Sequence, residues 1–379
     1  MRILIAMDSY KGTMSSKALG DIITDELSAM LPGATINNVP IADGGEGTIE
    51  ALGNMDAMTT HHVKVHGPLM QPIDAAYLMH RNTAILEMAS VAGLGVIPES
   101  RRNPLKTTTY GLGEMILYAI GQGANDIIIG LGGSATNDAG TGMLHAMGYR
   151  FKNQYGDSLE PIGGNLEHIH TVDASQAMTI GNRVHFLLAS DVNNPFYGPN
   201  GAAHIYGPQK GATPKMVATL DQGMRHYASL IKDQYKTDLQ AIKGAGAAGG
   251  LPAGFLPFFN TTLKAGIDLI FEKIHLEDRI QEADLVITGE GRVDEQTLMN
   301  KAPYGVVKLA HKHGKPCIIL AGTITEKGKR LSKHGASLLK SIHEPFESQA
   351  GLNLSKEHTE SRIRQTLRSL ETFIREAIE

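Results

Sequence analysis

A β-type run spans positions 2 to 7, apolar throughout after Arg2, then gives way to the polar turn DSYKGTMSS. A run of that length closed by turn residues reads as a strand buried on both faces. Beyond the turn, Leu19, Ile22, Ile23, Leu27 and Met30 recur at helical spacing, with Ser15 or Ser16 placed to cap the helix. ATINNVPIA then reads as a second strand and runs into the turn DGGEGT. Strand, helix, strand is the opening of an α/β domain. The alternation returns near the other end, where ADLVITGEG (283–291), KPCIILAGT (315–323) and ASLLKSI (336–342) read as buried strands, with helix over 304–312. Ile363, Leu367, Leu370, Ile374 and Ile378 form the stripe of a closing helix that starts near Ser355. That stripe reads as core packing rather than a membrane or partner surface.

The middle of the chain, from about 65 to 282, has shorter strands, more Gly and Pro, and several polar glycine loops. At 379 residues two compact cores are expected. The simplest architecture is a doubly wound α/β domain made from both chain ends, residues 1–65 and 283–379, with a second α/β domain, 66–282, inserted between them. Composition adds exclusions: 35 Lys+Arg against 39 Asp+Glu leave a formal charge of −4 and no field that would gather nucleic acid. The single cysteine, Cys317, sits in the apolar stretch PCIIL and reads as inert core, and the 16 histidines show no zinc-ligand spacing. No run reaches the about 18 apolar residues of a membrane span, and no leader-like segment opens the chain, so a cytoplasmic protein is expected.

The 43 glycines cluster in polar loops, most of which follow an apolar run. These loops are DSYKGT (8–13), ADGGEGT (42–48), GLGGSATNDAGTG (130–142), SDVNNPFYGPNGAA (190–203), GPQKGA (207–212), GAGAAGGL (244–251) and GEGRVDEQT (289–297). In an α/β sheet the loops at the carboxyl ends of strands converge on one crevice, where ligands bind. Glycines free backbone N–H groups to meet anionic oxygens. Lys11 and Lys210 can place positive charge on a phosphoryl group, and Asp8, Asp43, Asp138, Asp191, Glu290 and Asp294 supply carboxylates for a hard cation such as Mg²⁺ and for a base. No activated Ser–His pair is visible, so the pattern reads as phosphoryl transfer, not acyl transfer. Each residue also has a plainer reading: Asp43 and Asp191 as turn caps, Lys210 as a solvated turn lysine, Glu290 as a surface partner of Arg292, and the glycines of GAGAAGGL as close packing.

DIIIGLGGSATNDAG (126–140) fits half of a dinucleotide fingerprint through Gly130, Gly132 and Ala135. That fingerprint needs a second buried strand ending in an acid about 20 residues on. Asp157 instead follows a polar, turn-like stretch, so the fingerprint fails. No G-x-x-x-x-G-K-[ST] occurs, nor the H-R-D and D-F-G set of protein kinases.

Taken in order, DSYKGTMSS, PIADGGEGT, EMASVAGL (87–94), TTTYGLGEMI (107–116), GGSATNDAGTGML (132–144), SDVNNPFYGPNGAAHIYGPQKGA, GAGAAGGL and ADLVITGEGRVDEQT resemble the motifs of the type I glycerate kinases over the length of the chain. The resemblance implies a flavodoxin-like domain joined to a second α/β domain, with the active site in the cleft between them. It also implies phosphorylation of D-glycerate by ATP with Mg²⁺, generally at the 2-hydroxyl in this branch. On this reading Asp191 is the base or metal-facing carboxylate, and Asp43 and Glu46 hold Mg²⁺ or orient glycerate, with Asp138 and Asp294 as further metal candidates. Lys11 and Lys210 neutralise phosphoryl or carboxylate charge, and Ser9, Gly44, Gly45, Ser134, Thr136, Asn137 and Arg292 contact substrate or phosphate. Gly132, Gly133, Gly289, Glu290 and Gly291 face the nucleotide. Two departures from the family pattern, Asn300 before Lys301 and Pro252 after GAAGGL, concern loop shape rather than chemistry. The alternatives are 3-phosphoglycerate formation, a sugar-acid-binding regulatory protein without turnover, and a nicotinamide-dependent oxidoreductase.

Overall fold

The computed structural model describes residues 1–10, 12–42, 53, 58–180, 183–298, 301–343 and 355–377. In chain order, β1 (Arg2–Met7), α1 (Ser16–Met30), β2 (Thr35–Asn38), β3 (Thr59–His66), β4 (Pro72–His80) and β5 (Thr83–Glu87) come first. Next are α2 (Met88–Ala92), α3 (Tyr110–Gly121), β6 (Asp126–Gly130), α4 (Thr141–Ala146), β7 (Arg150–Lys152), β8 (Thr171–Asp173) and β9 (His185–Ala189). They are followed by α5 (Ala202–Tyr206), α6 (Pro214–Tyr235), β10 (Asn260–Lys264), α7 (Gly266–Lys273) and α8 (Leu276–Glu282). The last stretch holds β11 (Leu285–Gly289), β12 (Arg292–Val293), α9 (Ala302–Lys312), β13 (Cys317–Ala321), β14 (Thr323–Ile324), β15 (Leu338–Ser341), α10 (Lys356–Ser369) and α11 (Glu371–Glu376).

Two compact units emerge, one from Met1–Asp43, Glu50–Asp56 and Ile267–Glu379, the other from Gly44–Ile49 and Ala57–Gly266. The first is a five-stranded parallel sheet in the order β15-β13-β11-β1-β2. Counted along the chain, that is the 2-1-3-4-5 order of the flavodoxin type, with its switch point between β1 and β11. Ile3, Ile5 and Met7 meet Leu19, Ile23 and Leu27 of α1 and Ile363 and Leu367 of α10 in one core. Leu4 and Ala6 are also fully buried, which is why β1 reads as a continuous apolar run. Ser15 caps α1 by accepting from Ala18 N–H at 3.3 Å, and Ser355 caps α10 by accepting from His358 N–H at 3.2 Å. The closing helix breaks at Leu370, so its stripe is carried by α10 and the short α11. Cys317 is fully buried in β13, and burial pushes its thiol up to about 12.

The second unit holds a six-stranded sheet in the order β10-β9-β6-β5-β4-β3, parallel from β10 to β5 and antiparallel beyond. Its core gathers Leu86, Ile127, Ile129, Phe186 and Leu188 from the strands with Leu112, Met115 and Ile116 of α3 and Met143 of α4. The boundaries shift from the expected 65/66 and 282/283. β3 pairs with β4 along its whole length and therefore belongs to the inserted unit. α7 and α8 belong to the first unit, where Glu277 of α8 accepts from Lys312 at 2.6 Å and bonds His313 at 2.7 Å beside the end of α9.

Candidate functional site

In the inserted unit, β5, β6 and β9 end level with one another, Glu87 beside Gly130 and Gly130 beside Ala189. Their carboxyl ends carry the 130–140 loop and the Ser190–Asp191 corner, which Leu131 N–H joins by donating to Ala189 O at 3.1 Å. The loop is stitched to the turn after α2 as well, through Leu94 N–H to Gly133 O at 2.9 Å and Ala135 N–H to Ala92 O at 2.8 Å. Gly132 and Gly133 form its open side, half-buried and exposed, while Ser134, Thr136, Asn137 and Asp138 turn inward.

Lys210 crosses beneath this loop. It is 1% exposed, and its ammonium donates to Ser134 Oγ at 2.8 Å and to Thr136 O at 2.7 Å. The solvated-turn reading of Lys210 is thereby replaced by a buried one. Burial pushes its pKa down to about 7, against the opposing pull of the Asp138 carboxylate. Neutral or charged, the amine keeps the two N–H groups those bonds need.

Asp138 has a job other than the metal ligation expected of it. One oxygen accepts from Thr109 N–H at 2.7 Å, Thr109 Oγ1–H at 2.8 Å and Gly142 N–H at 3.1 Å, and the other from Gly140 N–H at 3.3 Å. The carboxylate ties the start of α3 to the start of α4. Burial pushes its pKa up and these donors pull it back, and four donors around one carboxyl favour the anion. Thr136 Oγ1 and Asn137 Oδ1 are buried without a hydrogen-bond partner among the described residues, while Asn137 Nδ2 donates to Met224 Sδ at 3.2 Å. GAGAAGGL serves close packing. Gly249 takes φ +70, and a Cβ there would lie 2.0 Å from Thr136 O. Pro252 sits at the start of a 3₁₀ turn over Leu251–Gly254, where its fixed φ is tolerated. Asp191 is half-buried two residues beyond the end of β9.

In the first unit the switch point brings Asp8 and Ser9 beside Gly289, with Asp8 N–H donating to Gly289 O at 2.9 Å and Ser9 N–H to Asp8 Oδ1 at 2.7 Å. Only glycine fits at 289, because a Cβ would stand 1.6 Å from Leu320 O. Glu290 is 6% exposed and is committed within the unit. Its Oε1 accepts from Thr297 Oγ1 at 2.6 Å and its Oε2 from Lys301 Nζ at 3.0 Å. Burial pushes its carboxyl up. The plainer reading of Glu290, a surface couple with Arg292, is not what forms among the described residues. Arg292 is exposed and stands 3.5 Å from Asp294, whose Oδ1 caps Gln296 N–H at 2.8 Å. Gly291 lies in the loop between β11 and β12. Lys11, Asp43, Gly44, Gly45, Glu46 and Asn300 lie outside the described residues.

The residues missed in the sequence are the partners. Thr109, Thr297 and Lys301 position the acids, and only TTTYG carried a visible signal for the first of them. No group of three or more potential metal-ligating side chains forms among the described residues.

The model of the Glycerate kinase family matches residues 3–374. A Bacillus subtilis (strain 168) protein named Glycerate kinase is 42% identical over 346 residues, 90% of each chain. An Escherichia coli (strain K12) protein named Glycerate 2-kinase is 40% identical over 344 residues, again 90% of each. A crystal structure of a Salmonella typhimurium LT2 protein superposes with a TM-score of 0.87 at 38% identity, covering 99% of this chain and 98% of the other.

Proposed function

The chain belongs to the glycerate kinase family, and from that premise we propose that it transfers the γ-phosphoryl group of ATP to the 2-hydroxyl of D-glycerate, with Mg²⁺. One observation carries the chemistry. A buried lysine, Lys210, is held on the Ser134 hydroxyl at the carboxyl ends of parallel strands, and a carboxylate, Asp191, stands at the end of the next strand. Phosphoryl transfer asks the protein mainly for positioning and for charge at the transferring group, and this loop is built to supply both. The 2-hydroxyl is favoured by the 40% identity to the E. coli relative named for that position.

In the proposed reaction the glycerate hydroxyl gives its proton to the Asp191 carboxylate as its oxygen bonds the γ-phosphorus. The bond from that phosphorus to the bridging oxygen breaks, and ADP leaves. Lys210 and Lys11 offset the anionic charge of phosphoryl group and carboxylate. Ser134 orients an oxygen through the hydroxyl that Lys210 fixes. Asp138 acts through Thr109 and the α4 start rather than on substrate.

The donor set fits Mg²⁺ in part. Asp138 and Glu290 are committed to donors of the chain, and the candidates named for the ion are Asp191, Asp43 and Glu46. One or two carboxylates plus phosphate oxygens are what Mg²⁺ takes, and bound there it would neutralise phosphate charge.

An ADP-release assay with D-glycerate, ATP and Mg²⁺ tests the reading, and NMR of the product fixes the position phosphorylated. Absence of ADP above background would favour a non-catalytic binder, and 3-phosphoglycerate as product would remove the 2-hydroxyl assignment. Asp191→Asn is expected to lower kcat by about 100-fold or more, in the range of a general base, with an unchanged circular dichroism spectrum. Near-normal turnover in that variant removes Asp191 from its role.

A further inference from the structure

One arginine of the inserted unit lacks a counter-charge among the described residues. Arg102 is half-buried just after the 3₁₀ turn Glu99–Arg101, with its backbone N–H donating to Glu99 O at 3.2 Å. Its guanidinium makes a single hydrogen bond to the described residues, a long one from Nη2 to Leu94 O at 3.4 Å, and ion-pairs with none of their carboxylates. Nε is buried and has no acceptor among them. Other arginines of the chain do find acids: Arg364 and Arg368 share Glu26, and Arg225 takes Asp221. A desolvated guanidinium N–H without an acceptor costs stability, so a group in this position asks for a ligand.

Its surroundings point to the kind of ligand. Leu94, whose carbonyl Arg102 meets, donates its own N–H to Gly133 O at 2.9 Å, so a single residue separates the guanidinium from the exposed turn at Gly133. The Arg102 backbone packs on the turn that follows Lys210, where a Cβ at Gly211 would stand 2.4 Å from Arg102 O. Further on, Thr107 Oγ1–H donates to Ala135 O at 3.0 Å, and Thr109 holds Asp138. The stretch 102–109 therefore runs along the 130–140 loop, with Arg102 at its Gly133 end. This end of the sheet already carries the carboxylates of Asp138 and Asp191, and an arriving anion is repelled there unless a cation offsets them. Lys210, pushed down to about 7, is charged in only part of the molecules at neutral pH, and it is bonded to the loop from beneath. A guanidinium is charged throughout and presents its N–H groups as a planar fork that matches a carboxylate.

We propose that Arg102 binds the carboxylate of the hydroxy-acid substrate and thereby sets the preference for an acid over its neutral analogues. The assignment rests on the kinase reading for the identity of that acid as D-glycerate, and its test reads binding separately from turnover.

Isothermal titration of the full chain with D-glycerate, with its neutral amide and with MgATP is carried out on wild type, Arg102→Lys and Arg102→Ala, and circular dichroism checks that both variants fold. Wild type is expected to bind the acid about 30-fold or more tightly than the amide, the scale of a hydrogen bond to a charged group, and Arg102→Ala to bind the two alike. Arg102→Lys keeps a charge and loses the fork, so its preference should fall between them. MgATP affinity should be unchanged in both variants, and KM for D-glycerate should rise in step with its Kd. A merely loosened loop would weaken acid and amide together. Equal weakening of the two therefore overturns the assignment, as does an Arg102→Ala chain that keeps the full preference or a wild-type chain that binds no D-glycerate. A loss of MgATP affinity with D-glycerate affinity kept also overturns it, since Arg102 then meets nucleotide phosphates. If Arg102→Ala does not fold, an undiminished preference in Arg102→Lys decides against the proposal. A preference that Arg102 controls in a chain that never phosphorylates glycerate leaves the carboxylate subsite standing and removes the kinase reading. Glycerate phosphorylation with the same KM in wild type and Arg102→Ala does the reverse.

Discussion

At the scale of single residues, Lys210 makes the sharpest commitment. Burial holds its pKa at about 7, whereas a free lysine stands at 10.5. Between those values the folded chain binds fewer protons than the unfolded chain, so this residue's contribution to stability grows as pH rises through that window. Urea denaturation near pH 7 and near pH 9 should show the gain in wild type and a smaller one in Lys210→Met. An arriving phosphate acts the other way, because it favours the ammonium form. Ligand binding near pH 8 should therefore take up a proton in wild type and not in Lys210→Met, which titration in two buffers of different ionisation heat would register. Little of this was legible in GPQKGA, because nothing local marks a lysine that runs under a loop 76 residues away. The donors around Asp138 are hidden for the same reason. Its carboxylate looks available in the sequence, and its Thr109 partner stands 29 residues upstream.

At the scale of elements, α1 and α10 are joined by more than their apolar stripes. Glu26 on α1 is 4% exposed and accepts from Arg368 Nε at 2.6 Å and from Arg364 Nη1 at 3.4 Å, both on α10. The Arg368 guanidinium first, and Arg364 after it, hold the Glu26 carboxyl below the usual carboxylate range. Stability from this contact is complete above that range and fades as pH falls through the lowered pKa. Glu26→Ala should destabilise the first unit by about 2 kcal/mol, the scale of hydrogen bonds to a charged group. Wild type should also lose more stability than Glu26→Gln on going from pH 5 to pH 3, as urea midpoints would show. Elements whose own pattern decides them were readable in advance. β1 is apolar on both faces, and α1 carries Ser15 before its stripe. What alternation along β3 does not encode is its partner: it pairs with β4 and lies in the inserted unit, across the expected boundary at 65/66.

At the scale of the whole molecule, the first unit is closed by segments from the two ends of the chain. β1 lies between β2 and β11, and Ile3 pairs with Leu285. Closing a loop of that length is entropically slow, whereas the sheet of the inserted unit is drawn from one continuous segment, Thr59–Lys264. Pulse-labelled hydrogen exchange during refolding should protect β6 and β9 before β1 and β11. Simultaneous protection of all four strands would overturn that order. The inserted arrangement could be foreseen from the return of the strand pattern after residue 283, while the order of its strands depends on pairings that no single stretch contains. Within the late-closing sheet sits the one thiol of the chain, Cys317, fully buried. A disulfide reagent has nothing to attack until β13 is exposed, since reaction needs both access and the thiolate. The chain thus carries its own clock for the opening of its first unit. The rate at which Cys317 releases a chromophore from such a reagent reports that opening without an added label, and a ligand that binds the first unit should slow it.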